Sequence, residues 1–187
     1  MIEKDDLESI QALMAARGVE FVNQDLPNGA PPLFFAIASD ALRVAKALLD
    51  AGAVVDGHRD YLPLHAAGER ASADAISLLL AHHADPNVVR YDGRTALHCA
   101  SEMAGSSYAI ERLVEAGANL EVVEQVEGLT PLGLAVAVGD LENVSCLLAL
   151  GADPQVTDAG GLTLVEIAEA EGHLEVLRRL SQLPLDR

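Results

Sequence analysis

A chain of 187 residues with 29 acidic against 12 basic side chains carries a formal net charge of −17. Phosphate binding needs a basic stripe and anionic lipid needs a basic face, so nucleic acid and membrane surfaces are excluded as direct partners. Half of the residues are apolar, yet no run approaches the roughly 20 unbroken apolar residues of a membrane span.

The first residues, MIEKDDLES, are acidic and lack the basic-then-apolar order of a secretory signal, which makes cytoplasmic residence the expectation. Residues 1–25 hold one helical pattern, Leu7, Ile10, Leu13 and Met14, closed by Arg17-Gly18. The same spacing returns at Leu42, Ala45, Leu48, Leu49 and at Ala73, Ile76, Leu79, Leu80. It returns again at Ser107, Ile110, Leu113, Val114, at Leu141, Val144, Leu147, Leu148 and at Leu174, Leu177, Leu180, Ser181. These starts lie 35, 31, 34, 34 and 33 residues apart. A period in the low thirties predicts stacked helical pairs, each packed on its neighbours.

The unit is plainest between Arg90 and Glu121. Asp92-Gly93 is a turn signal, and Thr95 is placed to cap a short helix by accepting from a free amide of its first turn. A second helix follows with Ile110, Leu113 and Val114 on one side, and Gly117 stops it in the left-handed conformation. The tetrapeptides PPLF (31–34), LPLH (62–65), TALH (95–98), TPLG (130–133) and TLVE (163–166) occupy equivalent places. So do the loops AGAVVD (51–56), HHADPN (82–87), AGANLE (116–121) and LGADPQ (150–155). Together these resemble ankyrin repeats over nearly the whole chain. The resemblance implies an all-α solenoid of stacked helix-turn-helix units with hairpin-like fingers. It divides the chain into an N-terminal cap (1–25), four full repeats (26–58, 59–87, 88–121, 122–155) and a C-terminal cap (156–187).

The units depart from the family in particular ways. In the first, Pro31 replaces threonine, and Phe34 with Phe35 replaces the usual His-Leu pair; both rings are expected against the cap helix. The second has a short finger, Leu62 in place of the capping threonine, a loss of about 1 kcal/mol, and His83 where glycine should end the helix. It is the expected weak link. The third carries an extra residue in AGSS, and the fourth has Glu121, Glu124 and Glu127 around its finger. The last turns polar at Glu166, Glu169 and Glu171, as a terminal unit must, and Leu183-Pro184 ends the pattern.

Candidates for chemistry reduce to structure. For His65 and His98 the resemblance implies a hydrogen bond between neighbouring units. His82-His83 beside Asp85 lacks a second ligand pair at helical spacing, so no metal site is expected. Asp85 and Asp153 begin short turns in which aspartate bonds local backbone. Cys99 and Cys146 fall at core-facing positions and imply buried thiols without a disulfide framework. No phosphate loop or nucleophile elbow occurs. The expectation is a protein that is not an enzyme and needs no cofactor.

Binding is the remaining function. Partners of the family meet the finger tips and the exposed face of the first helices. Position by position, that rule selects His58, Arg59, Asp60 and Tyr61 in the second finger and Arg90, Tyr91, Asp92 and Arg94 in the third. It selects Gln125, Val126, Glu127 and Leu129 in the fourth, and Glu69, Arg70, Glu102, Met103, Ala137 and Val138 on the first helices. Tyrosine and arginine are frequent sources of interface energy. Tyr61 and Tyr91 either supply it or stiffen their fingers, and Val126, Leu129 and Val138 either extend the patch or pack between units. The acidic charge serves solubility or attracts a basic partner surface. The expected protein is a monomer by itself that binds another protein, as an adaptor or as an acidic inhibitor masking a basic toxin, effector or nuclease.

Overall fold

Each tetrapeptide places its first residue at a helix N-cap and its second inside the first turn. In the computed structural model, which describes residues 19–26 and 29–183, the first helices are α1 (Pro32–Ala38), α3 (Pro63–Glu69), α5 (Ala96–Ser101), α7 (Pro131–Val138) and α9 (Leu164–Ala170). Their caps are Pro31, Leu62, Thr95, Thr130 and Thr163. The second helices are α2 (Leu42–Asp50), α4 (Ala73–Ala81), α6 (Ser107–Glu115), α8 (Leu141–Ala149) and α10 (Leu174–Ser181). Each begins at the first residue of the recurring apolar pattern. A 3-10 turn (Val19–Asn23) precedes α1. The expected cap helix around Leu7 and the closing Pro184 lie outside the described residues.

Periodicity becomes packing. The two central positions of the pattern, Ala45 and Leu48, Ile76 and Leu79, Ile110 and Leu113, Val144 and Leu147, have no exposed surface. First helices pack on first helices from α1 through α9, while second helices pack on second helices from α4 through α10. The result is two helical layers with one continuous core. In the last unit the pattern loosens: Leu174 is exposed, and Val176, outside the pattern, is buried beside Leu180. Among the described residues there is no strand, only isolated bridges at His58–Tyr61 and Thr157–Thr163.

Caps and stops follow the sequence where the residues permit. Thr130 Oγ1 accepts from the Gly133 amide at 3.3 Å. Thr163 accepts from the Glu166 amide at 3.3 Å, and Glu166 accepts from the Thr163 amide at 2.8 Å. His98 takes the glutamate's part in the third unit, its Nδ1 accepting from the Thr95 amide at 3.1 Å. Leu62 gives its helix no side-chain cap, but it is buried, so the lost hydrogen bond is partly offset by apolar burial. His83 does hold the left-handed conformation of a helix stop, with φ 67°.

The units are also joined by a polar ladder at their bases. Asn23 accepts from the Val54 amide (2.8 Å), Asp56 from Asp85 (2.9 Å), Asn87 from Asn119 (2.8 Å) and Glu121 from Asp153 (3.0 Å). The family-implied histidine bond is present in the second unit: His65 Nε2 donates to the Arg94 carbonyl at 2.9 Å. His98 is fully buried, and its Nε2 faces the Val122 and Leu129 carbonyls without good hydrogen-bond geometry. Phe34 meets the next finger, its ring 5.1 Å from Tyr61 at 70°.

Candidate protein-binding surface

The third finger is built by its own charges. The Arg90 amide donates to the Arg94 carbonyl at 2.8 Å and closes the turn, with Gly93 at φ 80°. The Arg90 guanidinium then bridges two carboxylates, Asp92 at 2.8 Å within the finger and Glu69 at 2.9 Å on the end of α3. The hydrogen bond from Arg90 holds the Asp92 carboxyl below the usual carboxylate range, although burial opposes it. Arg94 reaches Glu102 at the end of α5 at 2.7 Å. The predicted residues Glu69, Arg90, Asp92, Arg94 and Glu102 therefore form one assembly joining finger to helix. Its arginines are already neutralised.

Tyr91 is left at the tip, 79% exposed. Tyr61 is not its equivalent. That ring is half-buried between Phe34 and His58, and His58 Nε2 lies 2.9 Å from an Asp25 carboxylate oxygen. Tyr61 and His58 thus stiffen the second finger, whose tip presents Arg59 (φ 52°) and Asp60 to solvent. Arg70 is exposed at the end of α3.

The fourth finger is organised by one of its three glutamates. Glu124 is buried, and its oxygens accept from the amides of Val126 (2.7 Å), Glu127 (2.6 Å) and Leu129 (3.3 Å). Burial raises its pKa, but these amides outweigh that and leave it lowered. Arg94 Nε lies 4.0 Å away. The Gln125 amide donates to the Asp92 carbonyl at 2.9 Å, which ties the third and fourth fingers together. Val126, 70% exposed, projects from a frame held on both sides.

Of the two readings open for Leu129, the structure shows packing: at 3% exposure it belongs to the core, with Gly133 of α7 against its side chain. It forms part of the floor of a groove of about 290 Å³ between fourth and fifth fingers and the ends of α7 and α9. Met103 and Val138, equivalent residues at the ends of α5 and α7, are exposed, and Ala137 is half-buried. Between Arg112 and Arg178 the chain has twelve acidic residues and no lysine or arginine. Among the described residues, no group of three or more histidine, cysteine, aspartate or glutamate side chains is arranged to hold a metal ion. No helix there is long and apolar enough to cross a membrane.

The acceptors of the ladder were legible, since three of the quoted loops end in Asp56, Asn87 and Glu121. Glu124 carried no comparable signal, because burial of its carboxylate depends on the six-residue finger that wraps around it.

Stacked helix pairs joined by ordered fingers define a protein of the repeat-solenoid class. Comparison with known proteins gives the family. The family model for ankyrin repeats (3 copies) matches residues 1–90 and 53–122, and the single ankyrin repeat model matches residues 127–159. The chain belongs to the ankyrin-repeat family. It is 28% identical over 179 residues to the ankyrin repeat protein nuc-2 of Neurospora crassa, covering 94% of this chain and 16% of that protein. It is 31% identical over 156 residues to the B-cell lymphoma 3 protein homolog of Mus musculus, covering 80% and 34% respectively. Protein PhlB of Serratia liquefaciens is 36% identical over 95 residues, 51% of this chain and 41% of that protein. The chain spans less than half the length of each of these relatives.

Proposed function

We propose that the chain is a non-catalytic binding module whose partner protein rests on the fingers and first-helix ends between Tyr91 and Val138. The observation that carries this reading is the exposure of Tyr91, Met103, Val126 and Val138 around fingers already fixed by internal ion pairs and by Glu124. A rigid surface loses little conformational entropy on contact, so a modest apolar patch can support specific association. Its action is tethering or occlusion, as a monomer in the cytoplasm. A bait carrying Tyr91→Ala, Met103→Ser and Val126→Ser, with an unchanged circular dichroism spectrum, is compared with the native chain. A partner captured by the native bait and lost from the variant supports the site. Equal capture by both rejects it.

The acidic-inhibitor version rests on the stretch between Arg112 and Arg178, where acidic residues occur without any lysine or arginine. Attraction to a basic target would speed association, and screening cuts its reach to about 10 Å at 0.1 M salt. Association with a captured partner should then slow steeply as salt is raised. A rate indifferent to salt removes the inhibitor version and leaves the adaptor.

A further inference from the structure

The stack repeats one location four times, where a finger meets the helix end of the unit before it. Between the second and third units that location is filled from within, by Arg90 held between Asp92 and Glu69. The residue opening each finger is fixed by the hydrogen bond that closes it. Arg90 donates its amide to Arg94, and Asp158 donates its amide to Leu162. Asp158 therefore stands in the fifth finger where Arg90 stands in the third. The internal cation has been replaced by a carboxylate.

The space this leaves is the groove of about 290 Å³ between the fourth and fifth units. Its floor includes Ala137, Leu162 and Ile167, and Glu127, Asp158 and Glu171 also line it. Among the described residues none of these three carboxylates enters an ion pair, in contrast to Glu69, Asp92 and Glu102. Asp158 uses one oxygen to accept from the Leu162 amide at 2.8 Å. An apolar floor beneath several carboxylates suits a side chain with an aliphatic stem and a charged fork.

We propose that this groove receives an arginine side chain from an extended segment of the partner protein, with its stem on Leu162 and Ile167 and its guanidinium among Glu127, Asp158 and Glu171. The proposal rests on the reading of this face as a protein-binding surface and names the chemistry of one subsite within it. The guanidinium repeats, from outside, the contact that Arg90 makes from within.

The test uses the full chain labelled with nitrogen-15 and three blocked tripeptides, glycyl-arginyl-glycine and its lysine and citrulline counterparts. The arginine peptide should shift the amides of Gly128, Leu129, Leu162 and Ala170 saturably. The citrulline peptide, which keeps the shape and loses the charge, should not. Glu127→Gln with Glu171→Gln should weaken the response about tenfold, since both side chains are exposed and make no hydrogen bond with the described residues that the exchange would break. Glu111→Gln with Glu115→Gln, the same charge change on α6, should leave it intact. Shifts spread alike over the acidic surface, an equal response to citrulline or lysine, or no saturable shift in the millimolar range would each overturn the proposal. If partner capture requires Tyr91 and Val126 but ignores the Glu127/Glu171 pair, the binding face stands and the arginine subsite falls.

Discussion

Replacing Glu124 by glutamine removes one charge and little volume, and it should destabilise the protein through the fourth finger. The carboxylate accepts from three amides, and Arg94 stands 4.0 Å away. Glutamine keeps one acceptor oxygen and turns an NH₂ group toward an amide that was a donor. Hydrogen bonds to a charged group are worth about 1.5–3 kcal/mol each. The amides of Val126 and Glu127 can recover water because both residues are exposed, whereas Leu129 is buried. The net loss should therefore be about 2–3 kcal/mol, nearer one such bond than three. Urea unfolding followed by circular dichroism measures it, since urea does not screen charge as guanidinium does.

The pH dependence gives the sharper check. The folded-state pKa of Glu124 is lowered from its ordinary value of 4.5. The unfolded chain binds this proton more readily, so the contribution is fully present above that value and is lost as pH falls through the folded-state pKa. The gap between native chain and variant should be widest near neutral pH and should close in acid. A variant as stable as the native chain at neutral pH, or a gap unchanged in acid, would refute the reasoning.

The other predictions concern the core and the stops. His83→Gly should raise stability by about 0.5–1 kcal/mol, because glycine holds φ 67° without the strain of a Cβ; thermal unfolding measures the shift. Gly68→Ala should cost about 1–3 kcal/mol, since its Cβ would lie 2.6 Å from the Ala96 carbonyl oxygen in α5; a variant of native stability in urea would contradict that close approach. Burial lowers the His98 pKa to about 4. Because the unfolded imidazole binds protons more readily, stability should fall as pH drops from about 6.5 toward 4, and His98→Asn should flatten that fall in paired urea titrations. Burial pushes the Cys99 thiol up to about 12 and the half-buried Cys146 up to about 11. A chromogenic disulfide reagent should therefore label Cys146 before Cys99, and both slowly until the chain is unfolded.

Helix starts and stops were readable because they depend on neighbours in the chain. Thr130 and Thr163 cap as their type requires, and Gly117 at φ 93° ends α6. Left-handed residues after the first helices were less visible, since Asp40 (φ 59°) and Ala71 (φ 50°) share that duty with Gly105, Gly139 and Gly172. The surface was legible only in part. The family resemblance located Tyr91, Met103, Val126 and Val138, whose exposure follows from their places at finger tips and helix ends. Tertiary contacts assigned the rest: Tyr61 turns back onto Phe34, Arg90 and Arg94 are held by carboxylates of the first-helix ends, and Leu129 lies under Gly133. The Tyr61–Phe34 and Arg90–Glu69 contacts join different units, and no local pattern encodes them. Arg94–Glu102 and Leu129–Gly133 lie within a unit and depend on how its finger folds back on its helix.

The central claim is that the partner meets the finger-and-groove face rather than the second-helix face. A photoreactive phenylalanine analogue placed at Tyr91 in one preparation and at Tyr108, exposed on α6, in another tests it on any captured partner. The account predicts a crosslink from position 91 and none from position 108. A crosslink from position 108 alone would contradict it.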